Sequence, residues 1–149
     1  MVAESVKQGT AATREEILAA AKMYLEAISG YRDPATLPLA PDVWILEHGR
    51  NHGRGADDVL RRIRPRELKP LPTSGEPTFG RDGSMRWFVD VDEGQAIAYY
   101  ILDLPDRTLL LNQRFHVRDG LIREIEILYH AIDGANQRLW PEDPDAYDP

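Results

Sequence analysis

Phe115-His-Val-Arg-Asp-Gly-Leu-Ile-Arg-Glu-Ile-Glu126 reads as two strands joined by a tight turn. Asp119-Gly120 is a pair that two-residue hairpins favour, because both central positions need positive φ and glycine accepts it without a Cβ clash. Around it, β-branched and aromatic residues in near-alternating polarity extend the strands to 108–118 and 121–131. With that turn Arg118 faces Leu121, and the ladder continues as Val117 with Ile122, Phe115 with Glu124, Gln113 with Glu126 and Leu111 with Leu128. One face is then apolar except for Gln113, Glu124, Glu126 and His130. The other carries Asn112, Arg114, His116 and Arg123 with Ile125, Ile127 and Tyr129. A one-residue slip would exchange the faces of a strand, so the site depends on this register.

Upstream, 85–92 and 95–104 carry the same kind of pattern, with Glu93-Gly94 and Pro105-Asp106 as turns. The result is a long antiparallel meander. The loop 69–83, rich in proline, glycine and small polar residues, separates it from an N-terminal half with helical spacing. Thr13-Arg-Glu-Glu16 is a capping box, and Ile17, Ala21, Tyr24, Leu25 and Ile28 form one apolar stripe ending at Gly30. Asp33-Pro34 opens a short second helix that ends before Pro38. Residues 42–48 are a short buried strand or extended segment, and Gly49, Gly53 and Gly55 interrupt the chain after it. A third helix runs over about 56–64, with Val59, Leu60 and Ile63 inward, until Pro65 stops it.

Helices followed by a meander of strands make an α+β domain. A chain of 149 residues is one domain of ordinary size. Residues 1–12 read as a flexible N-terminus, 13–139 as the domain and 140–149 as an acidic tail, unless Trp140 docks it. The absence of cysteine excludes disulfides, thiol nucleophiles and thiolate metal sites. No apolar run spans a membrane and no secretory signal opens the chain, so the expected location is cytoplasmic. The formal charge of -7 argues against nucleic-acid binding. Arg61, Arg62, Arg64, Arg66 and Lys69 are interleaved with Asp57, Asp58 and Glu67 and lack a stacking aromatic, so they read as a solvated helix face and its exit.

The Phe115–Glu126 string resembles the last hairpin of SnoaL-like domains in the nuclear transport factor two-like superfamily. Residues 43–63 resemble their strand-to-third-helix stretch. Arg86-Trp-Phe-Val-Asp90 followed by Gly94 is similar to a functionally unassigned branch of that superfamily. The resemblance covers about 13–131 and implies three N-terminal helices on a strongly curved antiparallel sheet, a cone enclosing a small-molecule pocket. The superfamily includes polyketide cyclases, ketosteroid isomerases, epoxide hydrolases, dehydratases and binding or adaptor proteins, so fold cannot choose among them. In its isomerase and cyclase types an acidic residue or a histidine inside the cone acts as general base, with no metal or organic cofactor. Their complete catalytic sets do not map onto this chain residue by residue.

Glu126 is the candidate general base: a carboxylate among apolar neighbours has a raised pKa. Gln113 would orient it, with Asp90 or Tyr99 as proton donor; alternatively Glu126 only accepts hydrogen bonds from Gln113 and Arg86. A turn at Glu93-Gly94 puts Asp90 on one face with Phe88, Ile97 and Tyr99, although Asp90 is equally a residue of the turn. Tyr24, Trp44, His48, Trp87, Phe115, Leu128 and His130 are the candidate pocket lining, with Trp87 also explicable as core. His48 and His52 have the spacing of a helical zinc pair, but Gly49 and Gly53 disfavour a helix there and no HExxH motif occurs. No P-loop, dinucleotide GxGxxG or GxSxG elbow is present. The expectation is a cofactor-independent acid/base enzyme for a small apolar molecule, or a non-catalytic ligand-binding or homodimeric interaction domain. A homodimer through the outer sheet face is expected, with no nucleic-acid or membrane partner.

Overall fold

The computed structural model describes residues 12–63, 67–70, 73 and 79–132. The expectations for residues 1–11, for Arg64, Pro65 and Arg66, and for the tail with Trp140 lie outside these.

Helix α1 (Arg14–Ile28) starts at the expected capping box: the Glu16 amide donates to Thr13 Oγ1 at 3.2 Å, and the Thr13 amide donates to Glu16 Oε2 at 2.9 Å. Its buried stripe is Ile17, Ala20, Ala21, Tyr24 and Leu25, with Ala27 beside it. The expected second helix is a single 3-10 turn, Pro34–Thr36, capped by Asp33. Pro38 follows at once and cannot supply a helical amide. The chain instead enters strand β1 (Leu39–Glu47), longer than the short strand expected. The glycine-rich stretch after it is a hairpin rather than a break. His48 (φ 50) and Gly49 (φ 73) turn the chain into β2 (Arg50–Arg54). Helix α2 (Ala56–Arg62) buries Val59. Among the described residues the architecture is therefore two α-helices, the short 3-10 helix between them and a six-stranded mixed sheet.

The meander is β3 (Arg86–Asp90), β4 (Gln95–Asp103), β5 (Thr108–Arg118) and β6 (Leu121–Ile132). Sheet order is β2-β1-β6-β5-β4-β3, with β1 parallel to β6 and the other neighbours antiparallel. Helix α1 covers the inner face, where Ile17, Ala21, Tyr24 and Leu25 join Ala96, Ala98, Phe115, Val117, Ile122 and Ile125 in the core. The loop between β3 and β4 is longer than the two-residue turn expected, because Asp90 rather than Asp92 opposes Gln95. The change is by an even number of residues, so Asp90, Phe88, Ile97 and Tyr99 still share a face.

The hairpin that sets the register departs from expectation at one residue. Asp119 (φ 53) and Gly120 (φ 72) form the turn, and Arg118–Leu121 and Val117–Ile122 pair as expected. His116 then opposes Glu124, which leaves Arg123 as the extra residue of a β-bulge. Beyond it Phe115 pairs with Ile125, Arg114 with Glu126, Gln113 with Ile127, Asn112 with Leu128 and Leu111 with Tyr129. The expected pairs Phe115–Glu124, Gln113–Glu126 and Leu111–Leu128 do not form. Ile125, Ile127 and Tyr129 consequently face inward, and Glu124, Glu126, Leu128 and His130 lie on the outer face. The physical reason is burial: the unbulged register would bring two carboxylates into the core in place of isoleucines. No helix among the described residues is long and apolar enough to cross a membrane.

Candidate functional site

Under α1 the inner face holds a buried polar group in an apolar setting. Gln113 is 1% exposed, and its Oε1 accepts a 3.1 Å hydrogen bond from the Tyr100 hydroxyl. Its Nε2 has no partner among the described residues. Phe115 is next to this pair on the sheet, edge-on to Tyr24 at 5.7 Å and tilted against Trp87 at 6.4 Å. Burial pushes the Tyr24 phenol up to about 12, and burial together with the nearby Tyr24 raises that of Tyr100. Both tyrosines are therefore neutral hydroxyls over the ordinary pH range.

Beside this cluster lies a cavity of about 290 Å³, lined by Tyr24 and Ile28 of α1, Ile45 and Ile127 of the sheet, Ile63 at the end of α2, and two polar residues, His52 and Arg62. Its size is at the small end for organic ligands. The β1–β2 turn folds His52 back against β1, so its Nδ1 lies 3.1 Å from Glu47 Oε2. The same carboxylate accepts a hydrogen bond from the Tyr129 hydroxyl, which, as the largest effect, raises the phenol's pKa. His48 packs edge-on against the Tyr129 ring at 4.6 Å. A carboxylate that holds a histidine through one ring nitrogen and leaves the other free is an arrangement suited to general acid/base work.

The residues expected to act together are dispersed. Glu126 is on the outer face, where Arg114 Nη2 donates to it at 2.8 Å and also bonds Glu124, while Nη1 donates to Gln95 at 2.9 Å. The expected apolar carboxylate paired with Gln113 is thus an ion-paired group a quarter exposed. Asp90 lies on that outer face as a turn residue, accepting from the Glu93 amide at 3.1 Å. Tyr99, His48, Leu128 and His130 line a separate groove of about 310 Å³ with Leu110, Leu111, Asn112 and Tyr129. Trp44 is 38% exposed, donates to Asn51 Oδ1 at 3.1 Å and lies under Arg54. Phe115 is fully buried core, Trp87 packs against the core, and Tyr24 and Gln113 lie inside. Of the expected site residues, Tyr24 lines the inner cavity.

Sequence reading missed Glu47, His52 and Tyr129 as a group. The signal was present in His48-Gly49, where a residue tolerant of positive φ precedes glycine, as a two-residue hairpin requires. Reading it so pairs Glu47 with Arg50 and brings His52 back along β1.

A helix-covered mixed sheet with a cavity between helix and strands is the α+β fold of the nuclear transport factor two-like class. The chain belongs to the family described as "Domain of unknown function (DUF8021)", whose profile matches residues 10–129. No curated protein matches it by sequence. Among solved structures, a "putative ketosteroid isomerase" from Kribbella flavida DSM 17836 is similar with a TM-score of 0.56 and 20% identity, over 86% of this chain and 93% of that one. An "NTF-2 like protein of unknown function" from Burkholderia xenovorans LB400 gives 0.54 and 16%, over 91% and 94%. A "de novo designed protein with curved beta-sheet" gives 0.55 and 16%, over 78% and 86%. Likeness at this level shows the fold and no activity.

Proposed function

We propose that the protein is a cofactor-independent acid/base enzyme for a small, largely apolar organic molecule, with His52 as the base and Glu47 as the residue that orients it. The observation that carries this is the Glu47 carboxylate, 3.1 Å from the Nδ1 of His52 and also a partner of the Tyr129 phenol, together with His52 among the residues that line the inner cavity. With Nδ1–H donating to Glu47, the Nε2 lone pair is free to take a proton from a carbon beside a carbonyl. Glu47 stabilises the imidazolium so formed. Returning the proton to a second carbon completes an isomerisation. Returning it to a departing hydroxyl completes a dehydration. The structural neighbour described as a "putative ketosteroid isomerase" agrees with the first of these. Glu126 is not assigned the base role, because its carboxylate is held with that of Glu124 on Arg114.

The test is exchange of carbon-bound protons in deuterated water, followed by NMR on small cyclic and aryl ketones. The expected result is catalysed exchange that falls about a hundredfold in His52→Gln, the scale of general-base catalysis. Exchange at the native rate in His52→Gln overturns the assignment. A second reading, ligand binding without chemistry, is favoured by the exposure of the His52 side chain, 52%, which leaves water access to the base. Ketone binding without any exchange would support it.

A further inference from the structure

The charges around the inner cavity are arranged so that their acidic members stand behind the lining. Arg62 reaches it from α2 with its Nε held by Asp58 Oδ2 at 3.3 Å, as His52 is held by Glu47. Neither carboxylate is among the described residues that line the space, whereas Arg62 and His52 both are. Gly53 of β2 gives the arginine stem room at this position. A Cβ there would stand 3.0 Å from Arg62 Nε and 3.1 Å from its Cδ, so any other residue would crowd the arginine stem where it crosses the strand. Asp58 is fixed independently, since its Oδ2 also accepts from the Arg54 amide at 3.0 Å and its carboxyl is held below the usual range by that bond first.

A pair as exposed as Arg62–Asp58, 46% and 26%, contributes little to stability. Among the described residues the Arg62 guanidinium is engaged through Nε, which leaves the two Nη groups as a planar fork, the geometry that binds a carboxylate through two parallel hydrogen bonds. The isoleucines and the Tyr24 ring offer the opposite chemistry over the rest of the lining. We infer that the ligand of this cavity is a small carboxylic acid with an apolar body, its carboxylate on Arg62 at the polar side and its body against Tyr24, Ile45 and Ile127.

This rests on the cavity being the ligand site and names the class of ligand. It commits to a carboxylate, since a neutral carbonyl would use the fork through one oxygen only.

Titration calorimetry on the full chain with 4-phenylbutanoate and its neutral isostere 4-phenylbutanamide tests it. The acid is expected to bind about tenfold more tightly at low salt, the worth of a charge-assisted hydrogen-bonded pair, with the preference shrinking as salt rises. Arg62→Gln should bring the acid-to-amide ratio near one, and Arg62→Lys should keep part of it by retaining charge without the fork. Equal binding of the two probes to the native protein overturns the carboxylate inference while leaving the cavity as a ligand site. A preference that survives Arg62→Gln also overturns it. Failure of both probes to bind overturns it together with the cavity reading. If Arg62→Gln does not fold, the native ratio and its salt dependence decide.

Discussion

Tyr24 stands at the boundary between core and cavity, and its titration couples stability to pH. Its folded pKa of about 12 exceeds the free value of 10.0 because burial disfavours the phenolate. A raised folded pKa means that the native state keeps the proton longer than the unfolded one. The stabilisation is fully present below pH 10.0 and is lost as pH rises toward about 12. A shift of that size corresponds to roughly 2–3 kcal/mol. Tyr24→Phe should therefore flatten the fall in urea stability between about pH 10 and about pH 12, leaving the share due to Tyr100. An undiminished fall would contradict this assignment of the burial effect. That Tyr24 faces inward was legible in its place on the helical stripe. The Glu47–His52 contact was missed although His48-Gly49 carries its signal, because Gly49, Gly53 and Gly55 together read as an interruption of the chain rather than as a hairpin.

At the scale of elements, α1 and the meander were readable because a capping box and Asp119-Gly120 are local signals with local causes. The bulge at Arg123 was not. Nothing in Leu-Ile-Arg-Glu announces an extra residue, and its cause is the distant core that excludes Glu124 and Glu126 in favour of Ile125 and Ile127. The second helix is legible in its start at Asp33-Pro34 and its stop before Pro38, whereas its 3-10 form is not, since Pro38 and the pairing of β1 beside β6 end it within a turn. Two glycines test the turns that frame β4 to β6. Gly120 has φ +72 and open space around a built Cβ, whereas Gly94 has φ +66 and would place a Cβ 2.5 Å from the Val117 carbonyl oxygen. Gly120→Ala then costs only the left-handed conformation, about 1–2 kcal/mol. Gly94→Ala adds a backbone clash and should melt lower by several degrees more. Gly120→Val should also melt clearly below the native protein. If Gly94→Ala proves the milder of the two alanine variants, the close approach of the β3–β4 loop to β5 is wrong.

The whole molecule leaves one large surface without cover among the described residues, the outer face of the sheet. The bulge changes which side chains compose it: Ile125, Ile127 and Tyr129, expected there, are inside, and the exposed apolar groups are Phe88 at 53%, Leu128 at 43% and Trp44 at 38%. These lie on β3, β6 and β1, so they span the sheet rather than cluster at one edge. Between them Arg114 already satisfies Gln95, Glu124 and Glu126, so covering this face would bury a paired network and not a lone charge. We propose that a second copy covers it about a two-fold axis, an isologous contact in which each protomer supplies the same apolar residues. Sedimentation at tens of micromolar should show a dimer, and Leu128→Glu or Phe88→Asp should shift it to monomer, because two new carboxylates would be desolvated across the axis. Both substitutions sit at exposed positions and should leave the melting temperature of the monomer little changed. A native chain that sediments as a monomer under these conditions would remove the proposal, and one that stays dimeric in both variants would place the contact on another face.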